Sequence, residues 1–398
     1  MPRASAPREV RAPARPRRAV RPPILRTAHD GERHATWLEL FFDLCFVAAV
    51  AALTHDLRAD PTLGGLLRFA GLFVPVWWAW TSYSWYATGF DNDDDAYRVA
   101  MLAAMLGVIA LAVGVEGVHH GQIAGFVLAY AFMQGLLALL FLRSRRHATS
   151  ERAFTTVYAL GDALGAAAWL GSLWVPPGLR PAMWTLAMLV LMGTPMIAAR
   201  AMPMEAFDST HIAERYGQFT LIVLGESIVA VVAATAATGW NAGALLTAAG
   251  GFGLAACVWW IYFEFIKASS LTRDNLVRAF VWGYGHLLIF AGIAAAAAGV
   301  QLAVMSAAAE RAIGASAALV LGGGTIAYLV AIALIHRTTV RRTDAMLIAR
   351  LIAALIIAAL AVAGAVLPAP VFVGWVLAAL GGEAVFEIVR ARRMEQAT

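Results

Sequence analysis

Residues 36–56 read TWLELFFDLCFVAAVAALTHD, with fifteen apolar side chains among twenty-one positions. A run of about 20 mainly apolar residues is the length a helix needs to cross the hydrocarbon core of a bilayer. Two acids interrupt it. Glu39 and Asp43 are four residues apart, so they share one face of a helix with an axial separation of about 6 Å. The stretch therefore reads as a membrane-spanning helix that carries a polar stripe.

Runs of the same kind follow at 64–88, 96–115, 122–142, 153–175, 181–199, 217–237, 242–266, 277–300, 314–335, 345–367 and 371–389. The whole chain of 398 residues is 61% hydrophobic and 14% charged, with a mean hydropathy of +0.71. An ordinary soluble domain carries about 25% charged residues. This composition excludes a soluble enzyme, a disordered protein and a disulfide scaffold. Lipid cannot satisfy an open backbone, so the spans must be helical. The expected fold is an all-α integral membrane protein of about 12 transmembrane helices.

Charge orients those helices. Residues 1–35 are rich in Arg, Pro and Ala and hold nine arginines against three acids, a composition that cannot bury enough surface to order itself. They read as a disordered basic cytoplasmic tail. With that tail inside, the inner segments carry 25 of the 30 Lys and Arg residues, and the outer segments carry Arg58, Arg68, Arg180 and Arg311. This is the asymmetry of the positive-inside rule. It predicts a multipass protein of the cell membrane with both termini cytoplasmic.

An internal repeat divides the chain. Val76-Trp77-Trp78-Ala79-Trp80 in the second helix matches Val258-Trp259-Trp260-Ile261-Tyr262 in the eighth, and Arg98 and Arg278 follow at a similar offset. The expected organisation is two parallel six-helix repeats, 36–200 and 201–398, an architecture common in transporters.

Ionisable groups within a bilayer are costly and tend to face a bundle interior or a water-filled cavity. Here they are Glu39, Asp43, Asp162, Glu226, Glu264, His286, Arg350 and Glu383. Glu39, Asp43 and Glu226 are the candidate ion, proton or buried-charge site. Glu214, Arg215, His211, Asp162, His286 and Arg350 form the candidate supporting cluster. Arg215 enters the seventh helix at the depth of Glu39 and Asp43, within reach of either. Glu226 lies twelve residues beyond Glu214, about 18 Å along the axis, with Arg350 or His286 as candidate partners.

Other motifs fail on inspection. The acidic turn Asp91–Asp95 has Ala96 and Leu102 where a calcium loop needs Gly and Glu. His119, His120 and Glu116 lack a fourth ligand. Cys45 and Cys257 have no CxxC partner. No Walker A loop, GxSxG or HExxH is present. No metal and no cofactor is expected.

Two runs resemble a known family. Glu39-Leu-Phe-Phe-Asp43-Leu with Val47, and Glu214-Arg-Tyr-Gly-Gln-Phe-Thr220 followed by Leu224-Gly-Glu-Ser227, resemble signatures of the bacterial low-temperature-requirement A family. The acidic turn followed by Arg98 fits that family's stretch after the second helix. The resemblance covers roughly residues 34 to 390 and implies a multipass bacterial membrane protein linked by name to growth in the cold. In addition, the segment around Phe42-Asp43 is similar to an element in the first helix of potassium channels built from two six-helix repeats. In those channels the first and seventh helices line the pore, but Gln218 stands here where a second Asp would be needed.

The function these readings favour is an ion- or proton-linked transporter or channel with its path near helices one and seven. The alternatives are a structural or stress-adaptation membrane protein without transport, and a membrane-embedded enzyme acting on lipid through buried acids. An enzyme is disfavoured because no nucleophile–base pair is present. Expected partners are the lipid bilayer and an unidentified small ion or solute, without nucleic acid. Homo-oligomer formation is left open.

Overall fold

The computed structural model describes residues 23–25, 34–91, 93–147, 151–201, 209–265, 276–340 and 344–396. Among these, twelve long helices make up the molecule: α1 (Trp37–Ala59), α2 (Leu63–Gly89), α3 (Asp95–His119), α4 (Ala124–His147), α5 (Arg152–Gly171), α6 (Arg180–Ala198), α7 (Ser209–Ala236), α8 (Ala242–Phe265), α9 (Leu276–Ala308), α10 (Ala315–Val340), α11 (Ala345–Ala363) and α12 (Ala369–Glu395). Eleven are long and apolar enough to cross a membrane. The twelfth, α5, has the length of a span but carries Arg152, Thr155, Thr156 and Asp162, and it packs between α4 and α6.

Helix boundaries follow local chemistry. Thr36 caps α1 in a reciprocal box: the Glu39 N–H donates to Thr36 Oγ1 at 3.3 Å, and the Thr36 N–H donates to Glu39 Oε2 at 2.7 Å. This satisfies two of the orphan donors at the helix start. Asp94 caps α3 and Asp344 caps α11 in the simpler one-way form. Several helices run past their expected spans, α7 and α9 the furthest. α7 begins at Ser209 rather than 217, so His211, Glu214 and Arg215 are helical residues in its first two turns. α9 runs through its alanine-rich stretch to Ala308, ahead of Glu310 and Gly314 with φ of 53° and 76°.

The expected disorder of residues 1–35 falls mostly outside the described residues. Within the tail, however, Ile24–Leu25 pairs antiparallel with Phe90–Asp91 at the end of α2, so that short piece has a fixed partner.

Tight helix contacts depend on missing side chains. A Cβ on Gly299 would lie 2.4 Å from the Leu321 nitrogen, and one on Gly324 would lie 2.7 Å from the Gly292 oxygen. The α9 and α10 backbones therefore touch, in the manner of small-residue packing between helices in lipid. α9 is also the central element of the second half and packs against α1, α7, α8, α10 and α12.

Candidate functional site

α1 and α7 run side by side and start at the same end of the bundle. Asp43 and Arg215 each sit six residues into their helix, so both lie about 9 Å from the helix start. Arg215 Nη2 donates to Asp43 Oδ1 at 2.5 Å, and Arg215 Nε donates to Asp43 Oδ2 at 3.2 Å. Trp80 of α2 donates its indole N–H to the same Oδ1 at 2.7 Å. One turn closer to the helix starts, Glu39 lies 3.5 Å from Arg215 Nη1 and 3.6 Å from His211 Nε2. Thr88 Oγ1 meets His211 Nδ1 at 3.0 Å, and Arg215 Nη2 also donates to Ser84 Oγ at 3.3 Å. Glu39, Asp43, His211 and Arg215 are all at most 1% exposed.

This network ties three helices together: α1, α2 and α7. Arg215 offsets part of the charge of the two carboxylates, which buried ionised groups need to recover their desolvation cost. Arginine suits the position because its planar fork meets a carboxylate through two parallel donors.

Above the network lies a layer of rings. Phe219 stacks on Trp80 with centroids 4.2 Å apart, meets Phe290 edge-on at 4.9 Å and meets Phe46 at 6.3 Å. Tyr216 contacts Trp80 at 4.8 Å and His286 at 4.7 Å. These rings fill the space between α1, α2, α7 and α9. Beyond them, toward the other end of α7, comes Glu226. It is buried, its Oε2 makes no hydrogen bond among the described residues, and Arg58 of α1 is the cation within its electrostatic reach. Arg58 itself donates to Gln301 Oε1 at 2.7 Å. The α1–α7 seam thus carries two polar stations with an aromatic layer between them.

The remaining candidates lie elsewhere. Glu214 is half-buried and outside the network; it accepts from Gln218 Nε2 at 3.0 Å and lies 3.5 Å from His34. The expected partnership of Glu226 with Arg350 or His286 is corrected. His286 bonds Tyr262 at 3.0 Å and the Trp282 carbonyl at 2.7 Å. Arg350 turns to α12, because α11 and α12 are neighbours and α7 is not beside α11. Asp162 is buried on α5, and its Oδ2, like both polar atoms of Gln134 on α4, makes no hydrogen bond among the described residues. Glu264 is exposed. The acidic turn serves locally: Asp94 pairs with Arg143, and Asp93 with Arg98. His119 sits 3.2 Å from Asp56, and no group of residues able to hold a metal occurs among the described residues.

A second charge cluster contains a residue that the sequence reading did not single out. Arg350 Nη2 donates to Glu387 Oε2 at 2.9 Å, its Nε lies 2.6 Å from Glu387 Oε1, and Glu383 Oε1 is 3.5 Å from the same Nε. The signal was available. Glu383 and Glu387 are four residues apart, the spacing that drew attention to Glu39 and Asp43.

Comparison with known proteins follows the same lines. The family model described as Bacterial low temperature requirement A protein (LtrA) matches residues 34–382. A protein of Rhizobium meliloti (strain 1021), described as uncharacterized, is 28% identical over 297 residues, which is 69% of this chain and 71% of that relative. No solved structure matches the chain.

Proposed function

This chain belongs to the bacterial low temperature requirement A family, and from that premise we propose that it moves protons or a small cation across the cell membrane along the α1–α7 seam. The observation that carries the reading is the buried network of Glu39, Asp43, His211 and Arg215, with Glu226 as a second polar station beyond the aromatic layer. Buried acids facing a bundle interior are the usual markers of ion and proton paths. In this reading Phe46, Trp80, Phe219 and Phe290 form the barrier, the halves 36–200 and 201–398 act as parallel repeats, and both termini are cytoplasmic. A reporter fused after Arg393 then reads cytoplasmic and one at Pro176–Pro177 reads external.

The test is flux into proteoliposomes containing the purified full chain, with proton, sodium and potassium gradients in turn. The wild type is expected to conduct at least one of them. Phe219→Ala, which thins the barrier, should raise that flux several-fold, and Glu226→Gln should abolish it without loss of monodisperse protein. Absence of flux in both wild type and Phe219→Ala, with folded protein in each, overturns the proposal.

A structural role without transport draws on one specific observation. Asp43 already receives three hydrogen bonds, two from Arg215 and one from Trp80, which is how a fixed clamp is built. On that reading Glu226→Gln leaves flux and phenotype untouched, and loss of Asp43 acts only through folding.

A further inference from the structure

One ring contact fixes how α4 and α5 face each other. Tyr158 of α5 stacks on Phe141 of α4 with centroids 4.6 Å apart. Asp162 is one turn beyond Tyr158, and Gln134 is seven residues, or two turns, before Phe141, so both stand on the stripes that these rings bring together. The two helices form a hairpin. Gln134 lies thirteen residues before the end of α4 at His147, and Asp162 ten residues after the start of α5 at Arg152. The two residues are therefore within about 5 Å of one depth.

Phenols from α2 and α4 close the same space. Tyr83 of α2 donates its hydroxyl to the Met133 carbonyl at 2.7 Å, next to Gln134, and the Tyr130 hydroxyl donates to Met188 Sδ of α6 at 3.5 Å. The Asp162 charge reaches Tyr83, Tyr130 and Tyr158. The Tyr130 hydroxyl lies beside the Gln134 amide, which nevertheless makes no hydrogen bond among the described residues. Asp162 is 3% exposed and Gln134 0%. Asp162 Oδ2 is also without a hydrogen bond, and no cation stands within electrostatic reach of Asp162 among the described residues. A buried carboxylate is costly unless a positive charge matches it. The protons of Tyr83 and Tyr130 are spent on Met133 and Met188, so these two oxygens turn only lone pairs toward Asp162. The space between α2, α4 and α5 thus gathers oxygen acceptors around one unmatched negative charge.

We propose that Asp162 and Gln134, with the Tyr83 and Tyr130 hydroxyls, bind a dehydrated monovalent metal cation of the sodium class inside the first half of the bundle. Carboxylate, amide carbonyl and hydroxyl oxygens are the ligands that hard cations take, and such oxygens replace the water that an ion sheds on entering a membrane protein. Charge sets the valence. One carboxylate balances one positive charge, whereas a divalent ion would keep an uncompensated charge where the dielectric is low. A proton on Asp162 is the competing occupant, and the experiment below separates the two. The site is built from α2, α4 and α5, apart from the α1–α7 seam, so the inference does not rest on transport along that seam.

The test is equilibrium binding of radiolabelled sodium to the purified full chain in lipid nanodiscs, at fixed alkaline pH and with ionic strength held constant by choline chloride. Saturable binding that lithium displaces and choline does not is expected. Asp162→Asn should weaken it by about tenfold or more. Gln134→Leu, which removes buried polar atoms without hydrogen bonds, should keep the fold and weaken binding several-fold. Glu226→Gln should bind sodium as the wild type does. Absence of saturable binding overturns the proposal and is the result expected if Asp162 holds only a proton. Wild-type affinity in folded Asp162→Asn overturns it as well. If Asp162→Asn yields no folded protein, Gln134→Leu decides, and unchanged affinity there overturns the proposal. Binding lost in Glu226→Gln but kept in Asp162→Asn puts the ion in the seam, against this inference and in favour of the transport reading. Sodium binding that depends on Asp162, without any flux in the seam assay, supports this inference while removing the transport reading.

Discussion

Two clusters in this molecule share one plan: a pair of carboxylates four residues apart on one helix, facing an arginine from another. On α1 the pair is Glu39 and Asp43 with Arg215 of α7; on α12 it is Glu383 and Glu387 with Arg350 of α11. They differ in what else surrounds them. The first is supplied with donors from every side: the Thr36 cap, the Trp80 indole, and His211 held by Thr88. The second has fewer donors among the described residues: Glu383 has Arg350 at 3.5 Å and Glu387 beside it, with Cys257 and a Tyr328 hydroxyl already committed to Val258 as its further neighbours. Identical spacing therefore produces a densely supplied network in one place and a sparser one in the other. The third parties decide which, and they come from helices remote in sequence.

That contrast can be broken by mutation. The largest effect should come from Asp43→Asn. It leaves a fully buried Arg215 with the more distant Glu39 as its one charged partner among the described residues, and stripping one partner from a buried pair costs about 3–5 kcal/mol. Thermal unfolding followed by size-exclusion chromatography should show a large drop in midpoint or loss of monodisperse protein. An unchanged midpoint would mean that the first cluster is not closed at all.

Trp80→Phe keeps a ring against Phe219 but removes one donor to Asp43. A hydrogen bond to a charged group contributes about 1.5–3 kcal/mol, so a smaller fall in midpoint is expected by the same assay.

The cap that starts α11, six residues before Arg350, tests how firmly the second cluster is held. Burial of Asp344 opposes its ionisation, but the Leu347 N–H at 2.9 Å and His336 at 3.0 Å outweigh that and hold its carboxyl below the ordinary value of 3.8. A carboxyl depressed on folding stabilises above its unfolded pKa, and that contribution disappears as pH falls through the lower folded value. The cap should thus be intact at pH 5 and be lost below pH 3.8. At neutral pH, Asp344→Ala should cost about 0.5–2 kcal/mol, and the mutant should lose less of its remaining stability than the wild type on acidification through that window.

Glu383→Gln should have the smallest effect on stability, about 1 kcal/mol or less. The 3.5 Å contact of Glu383 with Arg350 is weakened, and Arg350 keeps Glu387 at 2.6 Å. A loss as large as that of Asp43→Asn would erase the difference between the two clusters.

The two tryptophan runs carry the same lesson about what is legible in one dimension. Trp77 and Trp78 are 1% and 4% exposed in the bundle core, whereas Trp259 and Trp260 are 45% and 44% exposed on its outside. Their sequences are nearly interchangeable, and nothing local to either run separates them. Similarly, Arg215 was within foreseeable reach of Asp43 because both enter their helices at one depth, while the pairing of Arg350 with Glu387 depends on which helices are neighbours.

By itself the sequence determined the membrane, the helical class, the number of helices and the face shared by Glu39 and Asp43. Each of these follows from residue-by-residue transfer energies, from the need to close backbone hydrogen bonds in lipid, and from a 3.6-residue period. Tertiary structure alone decided which partner each buried acid finds and which tryptophans are buried. Those outcomes rest on contacts between helices far apart in the chain. In a bilayer, lipid is as apolar as the protein interior, so hydrophobicity cannot tell an inward face from an outward one, and packing and polar pairing must choose.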